Sequence, residues 1–245
     1  VIVRNGTSGL TYWKSDPEKM KMRINNSQIT NMEGNILMAI DCQIEAANSE
    51  FSNAAGASVA LIGGKYHFIH CTIDNHKRIG ESRDPSTRTL ILSNMKTVKE
   101  VTTDHPLKQA YFDNCIIDGS YSADSAKLYK GEIILSTKNE NDITGNDEIF
   151  NYRFNSCFIK TDRVTNNDRF TNNLYIKPPT YLKTGIKDDS YMYDYRLKNE
   201  SVGIGKADRT ISEKYPVDRY GVNRLTSEYG PSVGAYEYVY QEEEE

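Results

Sequence analysis

NSQITN at Asn26, NSEFSN at Asn48, HCTIDN at His70, NCIIDG at Asn114 and SCFIKT at Ser156 are five versions of one phrase. Their starts lie 22, 22, 44 and 42 residues apart, so a unit of about 22 residues recurs and takes insertions in its later copies. So short a unit cannot close a core alone, and it becomes stable by stacking on its neighbours.

Extended outward, the pieces RINNSQITN, IEAANSEFSN, YHFIHCTIDN, AYFDNCIIDG and YRFNSCFIKT align without a gap, each as two short alternating segments joined at a bend. Ile24, Ala46, Phe68, Phe112 and Phe154 share one position of the first piece. In the second piece Ile29, Phe51, Ile73, Ile117 and Ile159 share another, two places after Ser27, Ser49, Cys71, Cys115 and Cys157. Period-two alternation predicts that these sets point inward. The bend reads Asn26, Asn48, His70, Asn114 and Ser156, and Asn tolerates the left-handed backbone that a tight bend needs. NILMAID, ASVALIG, TLILSN and EIILST precede the pairs, which makes three strands per unit. Stacked in parallel at about 4.8 Å per layer, such units form an all-β parallel β-helix. A sandwich or barrel would also have many short strands, but would not require like residues to recur in one register.

On this pattern residues 1–173 are rungs of about 22 residues, with loops inserted at 76–86, 95–108, 120–130 and 138–149. VIVRN resembles the third strand type, so the chain is expected to begin partway round a rung, with further sequence before it. The paired prolines of IKPPTYL end the ladder. Residues 174–245 are read as an irregular C-terminal cap that closes in a solvated acidic tail.

The net charge is −4, and 30 Lys and Arg are scattered among 34 acids, which leaves no basic stripe for nucleic acid. No apolar run is long enough for a bilayer and no signal peptide opens the chain, so the protein is either cytosolic or has lost an export signal. Seventeen tyrosines and many Asn, Ser and Thr favour an exported β-rich protein. Cys42, Cys71, Cys115 and Cys157 show no metal-ligand spacing and read as small buried apolar residues.

YDYRLKNES, VDRYGVNR and GPSVGAYEY, with Leu197 and Ser201, then Asp218, Gly221 and Arg224, then Gly234, Ala235, Tyr236 and Glu237, carry a resemblance over roughly the last 55 residues. They resemble the end of right-handed parallel β-helix proteins of the choice-of-anchor Q type from Bacteroidetes, within the pectate-lyase-like superfamily. SVGIGKA departs from the usual Ser-Pro-x-Ile-Asp-x-Gly form of one turn. The resemblance implies an exported or surface-anchored protein that handles glycans, with any membrane attachment through an anchor outside this chain.

Lyase-like β-helices place acids, Arg and Lys on the outer face of the first strand. The outward positions expected there are Leu37, Val59, Thr89 and Glu132, then Ala39, Leu61, Ile91 and Ile134. Such a face is mostly apolar and lacks groups for acid–base chemistry, so a loop, the cap or a partner is expected to cover it. On the third strand, Thr30, Ser52, Asp74, Asp118 and Lys160 form an expected outward ladder beside Gln28, Glu50, Thr72, Ile116 and Phe158. Asp74 and Asp118, with Lys160, are the catalytic candidates. Neighbouring rungs suit a retaining glycosidase pair or shared calcium, and like charges there raise one pKa. The plainer reading is two exposed acids relieved by Lys160 and solvent.

Glu45, His67, Tyr111 and Arg153 form an outward ladder on the second strand and, with Glu50, are the candidate ligand contacts. Lys77, Arg78, Arg83 and Arg88 in the insertions would add cations. His70 reads as structural, His76 and His105 as isolated loop residues, and Asp218, Arg219 and Arg224 as a network pinning irregular backbone. GIGKAD lacks the setting of a phosphate loop. The expected function is a carbohydrate-binding or structural module without metal or cofactor. The rivals are a polysaccharide lyase or glycoside hydrolase, and an adhesin or assembly spacer.

Overall fold

A computed structural model describes residues 1–77, 83–121, 131–139, 146–161, 168–175, 177–184 and 193–242. The chain is all-β in character, and apart from two antiparallel pairs, Met95–Val98 with Val101–Asp104 and Tyr181–Lys183 with Asp194–Leu197, its strands fall into three parallel sheets that it visits in turn. The first-strand sheet contains Leu10–Trp13, Leu37–Ile40, Val59–Ile62, Leu90–Ser93 and Ile133–Ser136. The second contains Met22–Asn25, Gln43–Ala47, Gly64–Ile69, Leu107–Asp113, Phe150–Asn155 and Phe170–Thr171. The third contains Ile2–Gly6, Gln28–Met32, Glu50–Ala54, Thr72–Asn75, Ile116–Gly119 and Phe158–Ile159. Such an arrangement is consistent with a parallel β-helix.

Like residues lie on like. Ile29 pairs with Phe51, Phe51 with Ile73, Ile73 with Ile117 and Ile117 with Ile159. The Phe68 and Phe112 rings stack at 5.1 Å between centroids, Phe112 and Phe154 at 4.9 Å, and Phe154 and Phe170 at 5.3 Å. Burying a Phe side chain stabilises by roughly 1.5–3 kcal/mol, and each well-placed ring pair adds about 0.5–1.5 kcal/mol. The Cys row belongs to the same core: Cys71 N donates to Cys115 Sγ at 3.4 Å and Cys115 N to Cys157 Sγ at 3.2 Å, and all four cysteines are free and buried.

The bend row has the backbone its residues favour, with φ of 49° at Asn26, 47° at Asn48, 48° at His70, 54° at Asn114 and 52° at Ser156. Glycine would adopt that conformation at less cost but would bring no side chain. Here the side chains are used. Asn48 Nδ2 donates to Val217 O, and Asn114 exchanges two hydrogen bonds with the backbone of Asp208. The bend row thereby ties the C-terminal segment to the sheets.

Two expectations need correction. In the first-strand sheet Leu37, Val59, Leu90 and Ile133 are in register, as are Ala39, Leu61, Leu92 and Leu135, and all of them face the core. The outward residues are Met38, Ala60, Ile91 and Ile134, one position along in the first two strands. A one-residue slip exchanges the faces of a strand. Thr89 and Glu132 lie one residue before the inward set, at the corner with the third sheet. The insertion at 95–108 also carries an antiparallel hairpin, Met95–Val98 with Val101–Asp104, where a loop was expected. Among the described residues no helix is long and apolar enough to cross a membrane.

Candidate functional site

Third-strand pairing sets Asp74 beside Asp118, and Ser52 beside both Thr30 and Asp74, as the repeat predicts. The row is not open to solvent, however. Asp74 is 0% exposed, Asp118 1% and Glu50 2%, because the C-terminal segment lies across them. Tyr181 donates its hydroxyl to Asp118 Oδ2 at 3.2 Å, Tyr195 to Asn53 Oδ1 at 2.6 Å, and Tyr236 to Glu50 Oε2. A phenol suits this covering: its ring replaces water on the apolar side and its hydroxyl satisfies the acceptor beneath.

The covered acids are held by neighbours rather than by solvent. His76 Nδ1 lies 2.5 Å from Asp74 Oδ1, and Lys160 Nζ lies 3.2 Å from Asp118 Oδ1. Burial, and then the charge of Asp74, pushes the Asp118 carboxyl up to about 6 against the opposing pull of Lys160 and His76. Burial also raises Glu50, in part offset by hydrogen bonds from Ser52, Tyr236 and Gln28. Burial alone would lower His76, but Asp74 outweighs it and the imidazole is raised. Among the described residues no hydrogen-bond partner reaches Asp74 Oδ2, which is buried.

These facts correct the picture of exposed acids. Covered in this way, neither Asp74 nor Asp118 is accessible to a polysaccharide strand, and Glu50 is a buried acceptor rather than a surface contact. Calcium takes six to eight oxygen ligands, roughly, and a pair bounded by a lysine, an imidazole and phenols does not fit it. Among the described residues no cluster of three or more His, Cys, Asp or Glu is arranged to hold a metal ion.

The second-strand row remains accessible. Glu45 pairs with Arg23 and His67, His67 with Tyr111, and Tyr111 with Arg153, so the expected ladder is present in order. His67 and Tyr111 meet edge to face at 6.4 Å, and the Arg153 guanidinium lies 4.5 Å from the Tyr111 ring centre. Sequence reasoning missed Asp113, which binds two members of the row: its carboxylate is 2.6 Å from His67 Nε2 and 3.3 Å from Arg153 Nη2. Burial would raise Asp113, but the His67 hydrogen bond and the Arg153 charge outweigh it and hold the carboxyl below its usual range. Arg23 and Glu45 form an ion pair at 3.5 Å, and Glu18 bridges Lys65 and Lys108 along the same face.

The insertion cations belong elsewhere. Lys77, Arg83 and Arg88 are buried, and Arg78 lies outside the described residues, as do 243–245 of the acidic tail. Arg83 Nη2 pairs with Glu132 Oε2 at 2.6 Å with both side chains fully buried, and the Tyr121 ring lies 4.4 Å from the Arg83 guanidinium. His70 is buried, 2.9 Å from Ser212 Oγ and 3.1 Å from Asn114 Nδ2, and burial lowers its pKa. His105, read as isolated, lies 2.8 Å from Asp41 Oδ2 and 2.9 Å from Thr103 Oγ1. Arg224 is buried against Glu237, Asn48 and the carbonyls of Gly234 and Ala235, while Asp218 accepts from the backbone N–H of Tyr220, Val222 and Glu237. Neither a phosphate loop nor a sequential metal motif would have marked these partners, because each is brought in from a distant part of the chain.

Fold and site together define an all-β chain of stacked parallel sheets, with a buried acid row on one side and an accessible aromatic and charged row on another. No family model matches it, and neither does any curated protein or solved structure.

Proposed function

We propose that the protein is an exported right-handed parallel β-helix of the choice-of-anchor Q type, with rungs of about 22 residues over 1–173 and a C-terminal cap over 174–245. It binds an extended glycan along the outer face of the second sheet and does not cleave it. The observation that carries this reading is the row Glu45, His67, Tyr111 and Arg153, accessible and braced on the same face by Asp113. Parallel pairing repeats these side chains at a spacing of about 4.8 Å, close to the length of one sugar residue, so successive rungs meet successive sugars. The half-buried Tyr111 ring, packed between His67 and the Arg153 guanidinium, meets a sugar's C–H surface, and Arg153 and Glu45 turn the donors and acceptors not taken by Asp113 and Arg23 to its hydroxyls.

Burial of Asp74 and Asp118 supports binding over hydrolysis or elimination, since the carboxylates nearest to a catalytic arrangement are enclosed. Calorimetric titration with acidic and neutral polysaccharide fragments tests the reading. At least one fragment binds, Tyr111→Ala and Arg153→Ala each weaken it, and no reducing or unsaturated ends are released. Turnover that is lost in Asp118→Asn would reverse the conclusion in favour of an enzyme.

A further inference from the structure

Among the described residues the C-terminal segment carries three exposed tyrosines, Tyr220 at 60%, Tyr229 at 50% and Tyr240 at 59%. Exposed rings scattered singly need no explanation, but these three line two neighbouring cavities. Two of them are held in place by other tyrosines. Tyr220 stacks on Tyr236 at 5.3 Å with an interplanar angle of 23°, and the Tyr236 hydroxyl is anchored on Glu50. Tyr229 meets Tyr238 edge to face at 5.4 Å, and the Tyr238 hydroxyl donates to Asn199 Oδ1 at 2.8 Å. Ring platforms fixed in this way lose little conformational freedom when a ligand binds.

Between these platforms lie two cavities of about 280 and 390 Å³ that share Tyr240 as a wall. The first is faced by Tyr220 and Arg196, the second by Tyr229 and Glu200. Their volumes are at the small end of ligand pockets, the scale of one or two sugar rings each. Charge narrows the class of ligand. Arg196 is committed to Asp194 through a bidentate pair, with Nη2 to Oδ2 at 2.6 Å. Asp218 and Glu237, at the floor, are satisfied by backbone N–H groups, Ser232 and Arg224. Among the described residues, no cation other than Arg196 lines either cavity to recognise a carboxylate or sulfate.

We propose that the C-terminal segment carries a second carbohydrate site, for a neutral oligosaccharide, in the paired cavities on either side of Tyr240. It is separate from the second-sheet face and stands whether or not that face binds glycan. Sugar rings stack on Tyr220, Tyr229 and Tyr240 through their C–H faces, and their hydroxyls bond to the side chains of Glu200 and Gln241 at the rim.

Saturation-transfer NMR and calorimetry on the full chain, with cello-, xylo-, manno- and malto-oligosaccharides and with oligogalacturonate, test this site. The expected result is binding of a neutral oligosaccharide that Tyr240→Ala weakens about fivefold or more and Tyr240→Trp preserves. Because Tyr240 is exposed, the unfolding midpoint of Tyr240→Ala should match that of the wild type, which separates lost stacking from lost folding. Tyr111→Ala leaves this binding unchanged. Failure of every neutral oligosaccharide to bind, or binding that Tyr240→Ala does not weaken, overturns the proposal. If the lost binding tracks Tyr111 instead, only the second-sheet site remains; if one oligosaccharide depends on Tyr240 and none of the acidic or neutral fragments depends on Tyr111, the second-sheet reading fails and this one stands.

Discussion

Asp118→Asn probes the enclosed acid row through the pH dependence of stability. The carboxyl is 1% exposed, and burial together with Asp74 moves its pKa from 3.8 up to about 6. In the window from about pH 4 to about pH 6 the native state therefore binds more protons than the unfolded chain at this position. The contribution of the group to stability thus falls as pH rises: its cost is absent below the unfolded value of 3.8 and complete above about 6. At about 1.36 kcal/mol per pKa unit, the complete cost is on the order of 3 kcal/mol. Asparagine has the same shape, can accept from Tyr181 and has no proton to lose, while Lys160 keeps its bond to the Gly119 carbonyl. Urea unfolding of both proteins across this range should show the variant gaining on the wild type by up to about 3 kcal/mol between pH 4 and pH 7. A difference that is flat with pH, or that favours the wild type as pH rises, would refute the reasoning.

Phe112→Ala removes the middle ring of the stack and should cost about 3–5 kcal/mol, read from the denaturant midpoint. Asn114→Ala should destabilise more than Asn114→Gly by about 1 kcal/mol, because glycine keeps the left-handed bend and both lose the bonds to Asp208. Arg83→Ala strands the buried Glu132 carboxylate and should cost about 3–5 kcal/mol, whereas Arg83→Met combined with Glu132→Met should recover most of it.

The sheets were legible because stacking makes the sequence repeat its own packing. Phe68, Phe112 and Phe154 align from the sequence alone, and so does the bend row, whose αL backbone Asn signals directly. The first-strand register was misread because Leu37–Ile40 and Val59–Ile62 are apolar on both faces, so no polar residue in them marks which face is outward. The enclosure of Asp74 and Asp118 was illegible for another reason. Outwardness within a strand is local, but exposure depends on what lies over it, and Tyr181, Tyr195 and Tyr236 come from the irregular part of the chain, where no period places them. Asp113 escaped notice because it stands two residues beyond Tyr111 on the same face, and its role depends on His67 and Arg153 from neighbouring strands.

Carboxyl labelling with a carbodiimide and an amine, mapped by mass spectrometry on the folded protein near neutral pH, tests the central distinction between an enclosed acid row and an accessible ladder. Glu18 and Glu45, with side chains 56% and 28% exposed, should react, while Glu50, Asp74 and Asp118 stay unmodified until the protein unfolds. Labelling of Asp74 and Asp118 at the rate of Glu45 would contradict the account.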